Sequence, residues 1–427
     1  MITKFRNQLI ALFCSLLFVG IGAIFLLRNS VQKPFAIILF IGDGMSPSLL
    51  TATRLYEGGA DHRLGLEEFP QIALTRTYAN DFAVPDTASA ATAIATGERV
   101  NHQSLAMSPA GKPLTTLIEE AMTQNRSVGL ISNGSLTGET VAAFYAKSLN
   151  AQDNNENAKQ LAKHFPIDVM LGGGRKYFTN QDSIVLKKPD QETTSENLNL
   201  LQQLSDKGIV IVSSMKELAM IPSWKSSPVL GLLTEEAFPF QNEQTSQDDS
   251  PSLAQLVEQA IQRLQHSRHG YFLVVDDAHI GLAASLNNGE QLFHEISEFD
   301  QAITLARQYA GPNSLIIVTG KQNLGGLRMN GYPFRNDKGV AVLGLNQEGA
   351  PSITWSTGPG HNVSGSISGT ENAKETTSIF AEPSSFLSPS ALGIAEDTVS
   401  MGIGPGSEQI HGIIDLTSLY DVVKKKL

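Results

Sequence analysis

The chain has 427 residues, of which 41% are hydrophobic, so it can bury the core of one large α/β domain or of two or three smaller ones. Its formal net charge of -11 argues against broad nucleic-acid binding, because such binding needs a basic surface. The only cysteine, Cys14, lies in the N-terminal apolar segment, so the folded part has no disulfide and no thiolate metal site.

The N-terminus begins with an uncharged apolar segment, residues 9–27. Lys4 and Arg6 precede this segment and Arg28 follows it. Nineteen helical residues at about 1.5 Å each nearly match a hydrocarbon core of roughly 30 Å, so the segment is long enough to span a bilayer. The pattern predicts a membrane anchor, and its basic flank places the large domain on the periplasmic or extracellular side.

A cleaved signal peptide is the alternative interpretation of this N-terminus. Residues 20–23 offer only a poor cleavage site, because four more apolar residues follow them. We therefore assign residues 1–33 to an anchor or signal segment with its linker. Residues 34–427 are assigned to one domain.

The domain opens with an apolar run, residues 35–41, that breaks at Gly42-Asp43-Gly44. Such a run predicts a buried strand, and Asp43 then lies at the carboxyl end, where α/β sheets bind their ligands. A turn-forming role for Asp43 is the alternative, because Asp and Gly are common turn residues.

Strands and helices then alternate along the chain, which predicts a largely parallel central sheet with helices on both faces. The predicted strands are residues 73–78, 127–132, 167–171, 271–276, 314–319 and 397–403. The predicted helices are residues 88–96, 116–122, 157–165, 252–264 and 416–425. Residues 322–392 are rich in glycine, serine and proline, which indicates a loop-rich cap inserted over the strand ends.

Chemically active side chains follow several predicted strands. Asp43, Asp276 and Lys321 should meet at one edge of the sheet, because the carboxyl ends of parallel strands share that edge. Thr87 begins a helix of small residues, where unpaired backbone amides favour an anion or a nucleophilic hydroxyl. An ordinary polar residue of a first helical turn is the alternative for Thr87.

Several motifs, in the same order along the chain, resemble the alkaline phosphatase family. They are Gly42-Asp43-Gly44-Met45, Pro85-Asp86-Thr87 and residues 168–178, 271–275 and 404–412. The resemblance implies a mixed central sheet flanked by helices, a homodimer, and two zinc ions and one magnesium that serve a phosphorylated Ser or Thr.

The resemblance assigns roles to four residues of this chain. Thr87 matches the nucleophile, and Asp43 matches the carboxylate that bridges magnesium and one zinc. Thr140 and Asp276 match the other magnesium ligands, with Asp276 one methylene shorter than the family's glutamate. A phosphate-containing small molecule is the implied ligand, and an oxygen-only set suits magnesium.

The positions of the remaining zinc ligands carry other residues in this chain. They are Gly281, Ser285, Lys321, Gln322 and Gly393. Zinc needs about four nitrogen, sulfur or oxygen donors, and glycine supplies none through a side chain, so zinc binding is not expected. His361, which lies in a glycine-rich loop, is interpreted as a surface residue and not as a replacement ligand.

Lys321 is the substitution with the clearest physical consequence. A buried Asp43 without zinc would be a desolvated carboxylate, which costs several kcal/mol unless a cation pairs with it. We therefore expect the Lys321 ammonium to occupy the vacated metal position and to pair with Asp43 or Asp276. The alternative is a Lys321 that points to solvent.

The sequence thus predicts an exported protein with an alkaline-phosphatase-like fold and a degenerate phosphatase centre. Its phosphomonoesterase activity would be weak or absent, because the two-metal site that activates the hydroxyl is missing. The alternative is an active phosphatase that uses Thr87, a magnesium site and Lys321 in place of the zinc pair.

Overall fold

The computed structural model describes residues 12–20, 35–164, 167–179, 200–240, 250–331, 343–345, 350–360 and 382–427. The chain forms two units, Met1–Pro34 and Phe35–Leu427. In the first unit, residues 12–20 are helical; the rest of the predicted anchor, residues 9–11 and 21–27, lies outside the described residues. None of the helices within the described ranges has both the length and the apolar character needed to cross a membrane.

The second unit is built on a ten-stranded sheet. Its strands are β1 (Ala36–Gly42), β2 (Gln71–Arg76), β3 (Ser127–Ser135), β4 (Val169–Gly173), β5 (Val210–Val212), β6 (Val229–Leu232), β7 (Tyr271–Asp277), β8 (Leu315–Gly320), β14 (Thr398–Ile403) and β15 (Gly412–Asp415). The strand order is β15-β2-β14-β8-β1-β7-β3-β4-β6-β5. Only β14 runs antiparallel to its neighbours, β2 and β8. The largely parallel sheet predicted from the sequence is confirmed.

The central strand β1 shows why this sheet is covered on both faces. All seven of its residues are buried. Ala36, Ile38 and Phe40 point into one apolar core, and the alternate residues point into the other. Because successive side chains of a strand point to opposite faces, an uninterrupted apolar run can only be buried between two layers of helices.

Eleven α-helices accompany the sheet in the described part of this unit. They are α1 (Pro47–Gly58), α2 (Thr87–Thr96), α3 (Leu117–Thr123), α4 (Glu139–Ala142), α5 (Asn154–His164), α6 (Leu200–Asp206), α7 (Met215–Ala219), α8 (Leu253–Leu264), α9 (Ala278–Ser285), α10 (Gly289–Ala310) and α11 (Ser418–Lys424). Residues of α1, α8 and α10 contribute to one core, and residues of α2, α3 and α11 contribute to the other. The predicted two-sided helical cover is therefore present.

The predicted cap, residues 322–392, is only partly described. Its described parts contain β9 (Asn323–Leu324), β10 (Arg328–Met329), β11 (Ile353–Gly358) and β12 (Ser384–Leu387). The strands β10, β11 and β12 form a small sheet, and β9 pairs with β13 (Gly393–Ile394). His361 and the other residues of 361–381 lie outside the described residues.

Glu382 links this small sheet to the start of helix α10. Its Oε2 accepts hydrogen bonds from the Trp355 indole nitrogen at 3.0 Å and from the Gly289 backbone nitrogen at 2.8 Å. Burial raises the pKa of Glu382 from 4.5 to about 7, although both hydrogen bonds act in the opposite direction. The carboxyl group is therefore easier to bury when it is protonated.

A pH-dependent stability follows for Glu382. The folded protein binds this proton more tightly than the unfolded chain, so the free energy of unfolding should fall between pH 4.5 and about 7 and level off above that range. The contribution is roughly 3 kcal/mol. Urea unfolding across this range should show the wild type losing that much relative to Glu382→Gln, whereas Glu98→Gln, an exposed control, should follow the wild type. Parallel profiles for the wild type and Glu382→Gln would contradict the assignment.

Candidate active site

Three neighbouring strands bring their carboxyl ends together at one edge of the sheet. In the paired strands, Gly42 lies opposite Asp277 of β7 and Gly320 of β8. The turns beyond these strands are also joined, because the Gly44 backbone nitrogen donates to the Gln322 carbonyl oxygen at 2.6 Å. The residues that follow β1 and β8 are thereby fixed beside the end of β7.

Lys321 lies at the centre of this edge and is only 1% exposed. Its Nζ lies 3.4 Å from Asp43 Oδ2 and 3.3 Å from Asp276 Oδ1. The same ammonium donates to Thr140 Oγ1 at 2.5 Å, and Thr140 belongs to the short helix α4. The ion pair expected from the sequence is present, and it includes both aspartates. One ammonium thus contacts an oxygen of each residue predicted as a magnesium ligand.

The electrostatics of this cluster are those of one cation between two buried carboxylates. Burial by itself lowers the pKa of Lys321, but Asp276 and Asp43 together hold that pKa above its ordinary value. Burial and the neighbouring Asp276 together raise the pKa of Asp43 by more than Lys321 lowers it. Lys321 is therefore charged, and its charge is shared between two acids.

Ser132 completes the surroundings of Asp276. The Ser132 hydroxyl donates to Asp276 Oδ2 at 2.8 Å, and the two residues lie opposite each other in the paired strands β3 and β7. Ser132 is not among the site residues predicted from the sequence. The available signal was its position at the polar end of the apolar strand 127–132, next to the strand that ends in Asp276.

Thr87 is the first residue of α2, as the sequence predicted. The helix is capped by Asp86, whose Oδ1 accepts from the Ser89 backbone nitrogen at 2.8 Å. The Thr87 hydroxyl oxygen accepts a hydrogen bond from Gln322 Nε2 at 3.0 Å. A neutral amide that donates a hydrogen bond to this oxygen cannot remove its proton, so Gln322 does not activate it.

Gly281 lies in α9 directly against Asp43. A Cβ atom built at Gly281 would be 2.2 Å from Asp43 Oδ2. The carboxylate therefore fills the space in which a side chain at position 281 would begin. Asp43 and Gly281 are packed as complementary partners, and position 281 supplies no ligand.

Ser285 and Gly393, the other two substituted positions, are engaged elsewhere. The Ser285 hydroxyl donates to the Leu282 carbonyl oxygen of its own helix at 2.7 Å. Gly393 pairs with Leu324 between strands β13 and β9. A Cβ atom at Gly393 would be 2.7 Å from Val84 Cγ1. Neither residue joins the cluster around Lys321.

The donor set does not fit the metals of the implied family. Across the described ranges, no group of three or more His, Cys, Asp and Glu side chains could hold a metal ion. At the zinc-ligand positions, two residues are glycines and a third, Lys321, is a cation. The Gln322 amide donates to Thr87, and the Ser285 hydroxyl donates to a carbonyl of its own helix. The three predicted magnesium ligands all contact the Lys321 ammonium, which would repel a dication at the same point.

His279 lies just beyond the end of β7. The end of the apolar run 271–276 predicts a loop at this position, but His279 is a buried residue of α9, so that prediction is wrong. Its Nδ1 lies 3.2 Å from Glu295 Oε2, and its Nε2 lies 3.0 Å from the Phe238 carbonyl oxygen. Asp277 starts this helix by accepting from the His279 backbone nitrogen at 3.1 Å, which explains why the helix follows the strand without a loop.

The family model for alkaline phosphatase matches residues 35–427. The chain belongs to the alkaline phosphatase family. It is 27% identical over 437 residues to the tissue-nonspecific isozyme of Gallus gallus, covering 91% of this chain and 83% of that protein. It is 25% identical over 430 residues to alkaline phosphatase 4 of Bacillus subtilis, covering 92% and 88%. The family predicted from the sequence motifs is confirmed.

Solved alkaline phosphatases share the fold of this family member. The enzyme of the Antarctic bacterium TAB5 matches with a TM-score of 0.71 at 22% identity, covering 92% of this chain and 98% of that one. The Thermus thermophilus enzyme matches with a TM-score of 0.70 at 20% identity, covering 93% and 92%. A variant of the TAB5 enzyme has Mg bound in its M3 site and matches with a TM-score of 0.68 at 22% identity, covering 93% and 98%. At these identities, the structures support the fold alone.

Proposed function

We propose that this family member has a degenerate phosphatase centre, with weak or no phosphomonoesterase activity. Its function would then lie in binding or assembly on the exported side of a membrane. The observation that carries the proposal is the buried Lys321 ammonium, which contacts Asp43, Thr140 and Asp276 together.

The charge at this edge supports the proposal. Two-metal phosphatase centres hold the attacking and leaving oxygens in line and stabilise both with cations. Here the single cation is 1% exposed and its contacts are to protein oxygens. An ammonium buried among two carboxylates and a hydroxyl is not available to a phosphate that approaches from solvent.

The surroundings of Thr87 point in the same direction. A hydroxyl nucleophile needs a neighbouring base or a metal that lowers its pKa. In the described part of the chain, the Thr87 hydroxyl contacts the Gln322 amide, which donates a hydrogen bond to it. Thr87 thus keeps the position of a nucleophile, and among the described residues no base contacts its hydroxyl.

The second candidate function is an active phosphatase that uses Thr87, a magnesium site and Lys321. Two observations favour it. Thr87 lies at the start of a ten-residue helix, where backbone amides are unpaired, and the relatives of the chain are named alkaline phosphatases. This mechanism requires Lys321 to leave its buried position, so that its ammonium contacts phosphate and its former partners bind magnesium.

An activity assay separates the two functions. The purified full-length chain should hydrolyse p-nitrophenyl phosphate no faster than Thr87→Ala, with zinc, with magnesium or with a chelator. Thr123→Ala, an exposed control in α3, should give the same rate as the wild type and Thr87→Ala. The Bacillus subtilis relative, assayed alongside, shows whether the conditions support turnover. A metal-dependent rate in the wild type that is lost in Thr87→Ala would establish the second function.

The setting of the protein is part of the proposal. Residues 9–27 would anchor the chain, with the cleaved signal peptide as the alternative, and the family-type domain would face the periplasm or the exterior as a homodimer. The support is the charge pattern around that segment and the family membership. Recovery of the protein in the soluble fraction after cell breakage, or sedimentation as a monomer, would contradict the anchor or the dimer respectively.

A further inference from the structure

A polar cleft lies at the edge of the sheet opposite the candidate active site. It is formed where β3 and β4 begin, ahead of β6 and β7, whereas Asp43 and Lys321 follow the ends of their strands. A seven-residue strand spans roughly 20 Å, so the cleft is remote from the Lys321 cluster. Its volume is about 210 Å³, which is the size of a small organic molecule. Five serines, a tryptophan and three basic side chains are among its lining residues.

Arg263 is the unusual member of this lining. It is only 9% exposed, and its Nη2 donates to the carbonyl oxygens of Leu218 at 2.7 Å and Ile221 at 3.1 Å. Its Nε and Nη1 are buried without a hydrogen-bond partner. Arginine stays charged even when burial lowers its pKa, as it does here. Over the described ranges Arg263 forms no ion pair, so its charge lacks a counter-ion.

The charges around Arg263 leave the cleft with a positive excess. Lys225 and His266 line it and are exposed, and Asp168 is the acid among the lining residues. Asp168 is already engaged, because its Oδ2 accepts from the Val128 backbone nitrogen at 2.8 Å. A locally basic cleft on a chain of net charge -11 favours an anion over a cation.

Trp224 adds an apolar surface beside the charges. Its side chain is 72% exposed, although large aromatic residues are usually well buried. An exposed indole next to serine hydroxyls and basic groups is suited to a ring that carries polar substituents. We propose that the cleft binds a small organic anion whose acidic group is held by Lys225 and serine hydroxyls in the positive field of the buried Arg263, and whose ring lies on Trp224.

The acidic group is a phosphate or a carboxylate, and three probes distinguish these two kinds of group. Glucose 6-phosphate carries a phosphate on a ring, glucuronate carries a carboxylate on a similar ring, and glucose has no charge. The sequence contains two tryptophans, and the other one, Trp355, is buried. Tryptophan fluorescence of the full-length chain therefore reports mainly on contact at Trp224.

We expect saturable fluorescence changes with glucose 6-phosphate, with glucuronate or with both, and none with glucose. The anion that binds more tightly identifies the preferred acidic group. Thr87→Ala should respond like the wild type, because the cleft lies at the opposite edge of the sheet. A failure of this binding leaves the proposed loss of phosphatase activity untouched. No saturable response to either anion, or an equal response to glucose, overturns the proposal.

Matched variants test the role of the buried guanidinium. Arg263→Met should weaken binding of the responding anion by at least about tenfold, because the buried positive charge that attracts the acidic group is lost. The affinity of Arg263→Lys should lie between those of the wild type and Arg263→Met. Arg268→Met, the same change at an exposed neighbour, should bind the anion like the wild type. Unchanged affinity in Arg263→Met overturns the proposal. If circular dichroism shows that Arg263→Met is unfolded, Lys225→Ala decides: it should bind several-fold more weakly, and wild-type affinity in it overturns the proposal.

Discussion

Replacing Lys321 with methionine is expected to lower the free energy of unfolding by about 3–5 kcal/mol, because removing one partner leaves buried charges uncompensated. Asp43 and Asp276 would lose the ammonium that now lies 3.4 and 3.3 Å from their oxygens. Methionine keeps a similar length and apolar stem, so little of the loss should come from a cavity. Urea unfolding at neutral pH measures the effect.

Two further variants show whether charge is responsible. Adding Asp43→Asn to Lys321→Met should lower the free energy of unfolding by less than Asp43→Asn does in the wild type. The reason is that a buried carboxylate without its cation destabilises the fold. Lys112→Met, at an exposed lysine, should change stability by no more than about 0.5 kcal/mol. A loss below about 1 kcal/mol for Lys321→Met would contradict the buried ion pair as a main support of this edge.

Shortening Lys321 to alanine is expected to create a protein whose stability is raised by magnesium. The change frees the carboxylates of Asp43 and Asp276 and the hydroxyl of Thr140, which are the hard oxygen ligands that magnesium prefers. Magnesium at one hundred times its dissociation constant would then stabilise the variant by about 2.7 kcal/mol. Thermal unfolding with and without magnesium measures this, and we expect neither magnesium nor a chelator to shift the wild type.

The control is a variant that also lacks one of the two carboxylates. Lys321→Ala combined with Asp43→Asn should respond much more weakly to magnesium, because it lacks one of the two charged ligands. If magnesium stabilises the wild type as much as Lys321→Ala, the ion binds while Lys321 keeps its place or binds elsewhere. That result would favour the magnesium-dependent phosphatase over the degenerate centre.

The sequence was informative where a buried strand ends in a charged residue. The apolar runs before Asp43, Asp276 and Lys321 predict strands, and parallel strands have to share an edge, so the meeting of these residues follows from pattern alone. The charge argument for Lys321 was also physical: a buried acid that loses its metal needs another cation. Both steps depend on properties that are local in sequence.

Contacts set by side-chain direction could not be predicted in this way. Gln322 follows Lys321 directly, yet its amide donates to Thr87 while the ammonium points to the acids. Arg263 donates to two backbone carbonyls, and main-chain acceptors have no signature in the sequence. Such contacts depend on rotamers and loop paths that the hydrophobic pattern does not specify.

The position of Lys321 in the chain also has a consequence for the order of folding. Lys321 lies 181 residues after Thr140 and 45 residues after Asp276. The strand that directly precedes it, β8, lies inside the sheet between β1 and β14. During synthesis the acids emerge before the lysine, so their edge stays hydrated until β8 pairs with β1. Neutralisation of the acids by Lys321 therefore has to await the pairing of β8 with β1 in the middle of the sheet.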